Sequence, residues 1–329
     1  MIAIFKQKTP ANFFTLLIFG ILIKLPVFLH PHVVAARETD SLFFKKLLKF
    51  LSEPGQQNPI LYSILAFGLL FLQALMLTRF INAQRMMSHP SYFPGMAYML
   101  ITSLLPEWNY FSAPLLVNTL LLLILTWLFR IYNLPKARGL IFNIGLVLGI
   151  AGFLFFPALT FIFWILLALM VMRPFKLNEW LLCIAGLLTP LYFFAIYLFV
   201  TGNLNRHNLL PYFTVSVPSI RQSVWMAGSA FLLLVPFLAG GYYVQDGLRR
   251  MLIQVRKGWS LLLLYLLGSM FIPFVNGGES LENWVLVAIP FAAFHACTYL
   301  YAGFRIVPLL LFWASVAFIL GFQYYGPGW

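Results

Sequence analysis

The stretch Ile60–Ile81, ILYSILAFGLLFLQALMLTRFI, carries one charged side chain, Arg79, two residues from its end. As a helix it is about 30 Å long, enough to cross a bilayer's hydrocarbon core, which takes roughly 20 helical residues. Ten more apolar runs follow the same rule, at about Asn12–Leu29, Tyr92–Leu105, Pro114–Phe129, Gly139–Phe156, Ala158–Met172, Trp180–Val200, Val224–Val244, Ser260–Phe274, one ending near Ala302, and Ile306–Phe322. The chain of 329 residues is 62% hydrophobic and 9% charged, without the short alternating runs of a soluble β protein. It is expected to be all-α, a polytopic transmembrane helical bundle of about 11 spans, with residues 1–329 forming a single integral membrane domain.

The connectors carry the polar chemistry. His30 to Asp40 leaves the first span and leads into residues 41–53, where Leu42, Phe43, Phe44, Leu47, Leu48, Phe50 and Leu51 oppose Lys45, Lys46 and Lys49. Such a helix is expected to lie in the external interface. Pro54-Gly55-Gln56-Gln57-Asn58-Pro59 should then break the chain. Residues 246–258 form a cytoplasmic basic connector, read as a second interfacial helix because Leu248, Met251, Leu252 and Val255 share one face. Trp108 and Tyr110 mark the membrane–water interface. Lys24, near the far end of the first span, is expected to reach the headgroups by snorkelling.

Orientation follows from the bases. With the N-terminus inside, fourteen of the 21 Lys and Arg fall on the cytoplasmic side and six outside, Lys24 being left out of the count. That places the N-terminus in the cytoplasm and the C-terminus in the periplasm of a bacterial inner membrane. Six of the eight acids then share the external side. The net charge of +13 belongs mostly to these short connectors, so nucleic acid is not expected as a partner, whereas membrane lipids are. Residues 1–29 also have the layout of a leader, with Ala36 at a cleavage-like position, but the run is expected to be retained as a span.

No phosphate-binding Gly loop, nucleophile elbow or HExxH occurs, and no span centre carries Asp or Glu, which argues against an ion-coupled carrier. Cys183 and Cys297 fall inside spans and read as packing or lipid-facing residues. Glu38 and Asp40 fall on one side if their segment is extended and on nearly opposite sides if it is helical; an extended pair could bind a divalent cation or divide into a base and its partner. A solvated loop with ordinary acids is the alternative reading. His30 and His32 read as polar anchors or metal ligands. Glu107 and the Glu279/Glu282 pair could converge on the same cavity, or cap helices and wet a loop.

The early Glu38-Thr39-Asp40, the amphipathic external helix, and the series Leu104-Leu105-Pro106-Glu107, Leu146-Val147-Leu148-Gly149-Ile150-Ala151 and Trp284-Val285-Leu286-Val287-Ala288-Ile289-Pro290 resemble the membrane region of GT-C glycosyltransferases. That resemblance implies a polyprenyl-phosphate-linked sugar donor and a first-loop acid acting as base or metal ligand at the external membrane face. On it, Asp40 is expected as base or metal ligand, Glu38 as its partner and Glu107 as a second wall, with Arg206, His207 and Arg221 holding the donor phosphate. The chain lacks the large soluble external domain of many such enzymes. Leu134-Pro135-Lys136-Ala137-Arg138-Gly139-Leu140, Phe155-Phe156-Pro157-Ala158 and Arg173-Pro174-Phe175-Lys176-Leu177-Asn178-Glu179-Trp180 also resemble a multipass membrane family of Bacteroidetes to which no activity attaches. A member without catalysis, a non-enzymatic subunit of an envelope export or assembly complex with a protein partner, and a lipid-precursor flippase are the competing expectations.

Overall fold

The computed structural model describes residues 2–7, 9–36, 40–132, 134–202, 215–217, 223–275, 281–304 and 306–326. Among them the protein is helical, apart from a single bridge between Val215 and Val275. The helices are α1 (Pro10–Ile23), α2 (Leu25–Leu29), α3 (Leu42–Gln57), α4 (Ile60–Ala83), α5 (Phe93–Thr102), α6 (Ala113–Ile131), α7 (Arg138–Leu154), α8 (Phe161–Met172), α9 (Leu177–Val200), α10 (Val224–Gly247), α11 (Ile253–Phe271), α12 (Ala288–Tyr301) and α13 (Ile306–Tyr325). Among the described residues, seven helical segments are long and apolar enough to cross a membrane: those of α4, α6, α9, α10, α11, α12 and α13. Pro10–Ile23, Phe93–Thr102, Arg138–Leu154 and Phe156–Met172 are shorter apolar helices.

The centre is built on α5 and α12. All ten residues of α5 are buried, as are Ala288–Tyr299 of α12; the two helices pack on each other, with α4 against α5 and α10 against α12. A helix apolar on every face can be stable only when enclosed by other helices or by lipid. Here both solutions occur, since α9, α10 and α13 expose large side chains such as Phe193, Phe231 and Leu310 around the rim. Between helices in lipid, close van der Waals packing does much of the holding. On α7 and α9 it is extreme: a Cβ on Gly145 would run into the Cys183 carbonyl oxygen, and one on Gly186 into that of Phe142. Cys183 and Cys297 are both buried, so each is a packing residue.

Several expectations need correction. The first span is broken at Lys24, because Pro26 has no N–H and Val27 bonds to the Lys24 carbonyl at 3.1 Å. The Ile23 carbonyl oxygen accepts instead from Gln323 Nε2 of α13, at 2.8 Å. Lys24 is 2% exposed and does not snorkel. Helix α3 runs through Pro54 and Gly55 to Gln57, since the Tyr62 ring packs on Gly55 and the Tyr62 hydroxyl donates to the Leu51 carbonyl at 3.3 Å. Its buried face is Phe44, Leu48 and Gly55. The basic connector is not one helix: α10 continues to Gly247, a 3-10 turn covers Leu248–Arg250, and α11 begins at Ile253. The Trp108 side chain is packed inside the protein, 2% exposed.

The connectors divide between two ends. At one, Gln254 of α11 meets Gln84 after α4, and Lys257 lies over the Tyr132 ring after α6. There the Arg173 guanidinium pairs both oxygens of Glu179, at 3.1 and 3.2 Å, and donates to the Ile131 and Leu134 carbonyls. That fork fastens the α8–α9 turn to the end of α6. At the opposite end lie His30–Ala36 and Ser41, the Pro106–Asn109 turn, Phe156–Thr160, Val275 and Leu281.

Candidate functional site

Two groups of polar residues occupy this second end. In the first, the 3-10 turn Pro106–Asn109 presents Glu107, and Trp108 Nε1 donates to the Leu281 carbonyl at 3.0 Å, bringing the start of the Leu281–Val287 turn alongside. His32 of the opening loop packs at a tilt against Tyr110, with ring centroids 4.7 Å apart. Three connectors far apart in sequence therefore meet at Tyr110. Burial, and then the negative charges of Glu107 and Glu282, push the Tyr110 phenol up to about 12. Glu107 is half-buried, and its Oε2 is shielded from water and meets no hydrogen-bond donor among the described residues. Such an acceptor costs free energy until something donates to it.

Beneath this turn is a polar seam that enters the membrane region. The Lys24 amine donates to Thr102 Oγ1 at 3.0 Å and to Asn109 Oδ1, while Asn109 Nδ2 donates to the Leu105 carbonyl at 3.1 Å. One turn deeper on α5, the Tyr98 hydroxyl donates to Gln73 Oε1 and accepts from Asn118 Nδ2 at 2.9 Å. Gln73 Nε2 in turn donates to the Leu115 carbonyl and to Thr119, at 2.7 and 2.8 Å, and Tyr265 reaches Asn118 Oδ1 at 3.4 Å. Gln73, Asn118, Tyr98 and Tyr265 are all 0% exposed. A buried network of this kind binds helices together when its members satisfy one another.

The second group belongs to Asp40. Ser41 Oγ accepts from the Phe156 N–H at 3.1 Å, which fixes Asp40 beside the turn joining α7 to α8. An open apolar depression of about 370 Å³ lies there, lined by Phe156, Pro157, Leu159, Thr160, Phe163 and Val275. Ser216 donates to the Phe274 carbonyl at 3.0 Å, so the segment after α9 reaches the same rim. The two groups are linked through α3, because Phe44 lies against Phe111, the residue after Tyr110, with centroids 6.0 Å apart.

Of the residues singled out in the sequence, Glu107 and Glu282 are brought together at Tyr110, while Asp40 precedes Ser41, whose hydroxyl meets the N–H of Phe156 on the pocket's lining. Glu38, Arg206, His207, Arg221 and Glu279 lie outside the described residues. Among the described residues no group of three His, Cys, Asp or Glu is arranged to hold a metal ion. Sequence reading missed Tyr110 and the Lys24–Asn109 contact. Their signals were a lysine inside an apolar run and lone Gln73 and Asn118 in spans, which in a membrane mark a partner or a site. Comparison of the chain with family models, with curated proteins and with solved structures finds no match.

Proposed function

We propose that the protein is a GT-C-like integral membrane glycosyltransferase that uses a polyprenyl-phosphate-linked sugar at the membrane face bearing Asp40 and Glu107. The observation that carries this reading is the position of Asp40, one residue before the Ser41–Phe156 contact at the edge of an open apolar depression of about 370 Å³. A carboxylate next to an apolar depression suits a substrate with a hydrocarbon tail and a reacting polar head. In the reaction, Asp40 takes the acceptor's hydroxyl proton, the acceptor oxygen bonds to the anomeric carbon, and the anomeric C–O bond breaks with its electron pair leaving on the phosphate oxygen. Glu107, whose Oε2 meets no donor among the described residues, would accept a hydrogen bond from a sugar or acceptor hydroxyl. Glu38 would support Asp40, and Arg206, His207 and Arg221 would take the phosphate.

In this reading the seven long helices and the four shorter apolar ones all cross a bacterial inner membrane, giving eleven spans. The gathering of Arg173, Arg249, Arg250 and Lys257 at the end away from Glu107 supports a cytoplasmic N-terminus and a periplasmic C-terminus. A flippase is the weaker reading, because Gln73, Tyr98, Asn118 and Tyr265 saturate one another in an enclosed network instead of lining an open path.

The test is complementation of a deletion strain with Asp40→Asn and Glu107→Gln, at matched membrane levels, read as the mass profile of envelope glycans and glycoproteins. Wild-type protein should restore the profile and Asp40→Asn should not. Full restoration by Asp40→Asn would exclude it as the base.

A further inference from the structure

The end of the bundle opposite Glu107 carries a surface of a different kind. Between α10 and α11 the chain turns through Leu248–Arg250, and Arg249, Arg250 and Arg256 are all exposed. Interleaved with them, Leu252 and Ile253 are 68% and 57% exposed. The contact of Gln254 Nε2 with Gln84 Oε1, at 3.2 Å, sets this turn against the end of α4, where Arg85 is the next residue. Arg85 is exposed and has φ 51°, the left-handed conformation that closes α4 with Met86 N bonded to the Ile81 carbonyl at 3.1 Å. Glycine or asparagine takes that position at lower cost, so the exposed arginine is held in a strained backbone conformation. Asp246 is the acid nearest in sequence, and among the described residues none of these four arginines forms an ion pair.

We infer that this turn is a docking surface for anionic phospholipid, with Arg85, Arg249, Arg250 and Arg256 taking headgroup phosphates and Leu252 and Ile253 resting at the acyl boundary. Guanidinium groups bind phosphate oxygens in pairs, and bases near a bilayer surface are drawn to anionic lipid. The exposed leucine and isoleucine between them argue for a lipid rather than a dissolved phosphate, since a free anion gives apolar side chains nothing to rest against. The surface is on the far side of the molecule from Asp40, and the inference does not depend on the glycosyl-transfer reading.

The experiment uses the full-length protein, delipidated in mild detergent and titrated with phosphatidylglycerol or phosphatidylcholine, with lipid retention read by native mass spectrometry. Wild type should retain phosphatidylglycerol in preference, and the preference should fall as salt is raised. Arg249→Gln/Arg250→Gln/Arg256→Gln should lose at least about tenfold of that retention, whereas Lys136→Gln/Arg138→Gln/Lys176→Gln, which removes three exposed bases elsewhere, should keep it. Equal retention of the two lipids by wild type, equal loss in both triple variants, or displacement of the lipid by inorganic phosphate at matched concentration would each overturn the assignment. The wild-type salt series decides the question even if the arginine triple variant fails to fold.

Discussion

The Lys24 amine lies 3.0 Å from Thr102 Oγ1 inside the bundle, and its other acceptor is Asn109 Oδ1, so a basic group in the membrane region is held by two neutral oxygens. Removing one partner of a buried polar pair is more damaging than removing both, because the group left behind keeps its desolvation cost without a hydrogen bond. Asn109→Leu should therefore destabilise the purified protein by about 2 kcal/mol, and adding Lys24→Met should recover much of that loss. The check is thermal unfolding in detergent for both single variants and the double. Additive losses would mean that the two side chains do not depend on each other.

Arg173 makes a similar case at the other end, with both groups of the pair about nine-tenths buried. Its fork also serves the carbonyls of Ile131 and Leu134, which a lysine ammonium cannot do in the same plane. Arg173→Lys should lose most of the stability lost by Arg173→Ala, about 3 kcal/mol. A lysine variant that melts with the wild type would show that the point charge alone suffices.

Gly186 leaves no room for a side chain, since a Cβ there would meet the Phe142 backbone carbonyl on α7. Gly186→Val should cost about 3 kcal/mol and loosen α9 from α7, read as new protease cleavage within residues 177–200. Gly139→Ala, at a site with open space around it, should be neutral or slightly stabilising.

Tyr110 predicts a pH effect. Its phenol, pushed up to about 12 by burial and by Glu107 and Glu282, ionises later in the folded protein than in the unfolded chain, where a tyrosine titrates near 10. The contribution to stability is full below about pH 10 and is lost as pH rises through the folded value. The phenolate absorbance of wild type minus Tyr110→Phe gives this titration, and Glu107→Gln should move it to lower pH. No movement would separate Glu107 from Tyr110.

Much of the scaffold was legible because lipid demands long apolar helices, and Ile60–Ala83, Leu177–Val200 and Val224–Gly247 follow that demand closely. What was not legible depended on partners remote in sequence. Pro54-Gly55 reads as a break, yet Tyr62 completes the helix around it. Lys24 reads as a snorkelling residue until Thr102 and Asn109 are brought to it. The candidate site was half legible: Glu107, Glu282 and Asp40 stood out as connector acids, but the meeting of the first two at Tyr110 and the Ser41–Phe156 contact beside Asp40 are set by tertiary packing.

The central claim, that the protein consumes a lipid-linked sugar through Asp40, is tested most directly by mass spectrometry of lipid extracts from deletion cells carrying no copy, wild type or Asp40→Asn. The account predicts that a polyprenyl-phosphate-linked sugar accumulates without the protein, returns to normal with wild type, and accumulates again with Asp40→Asn present at wild-type levels. An unchanged pool of these lipids in the deletion strain would contradict it.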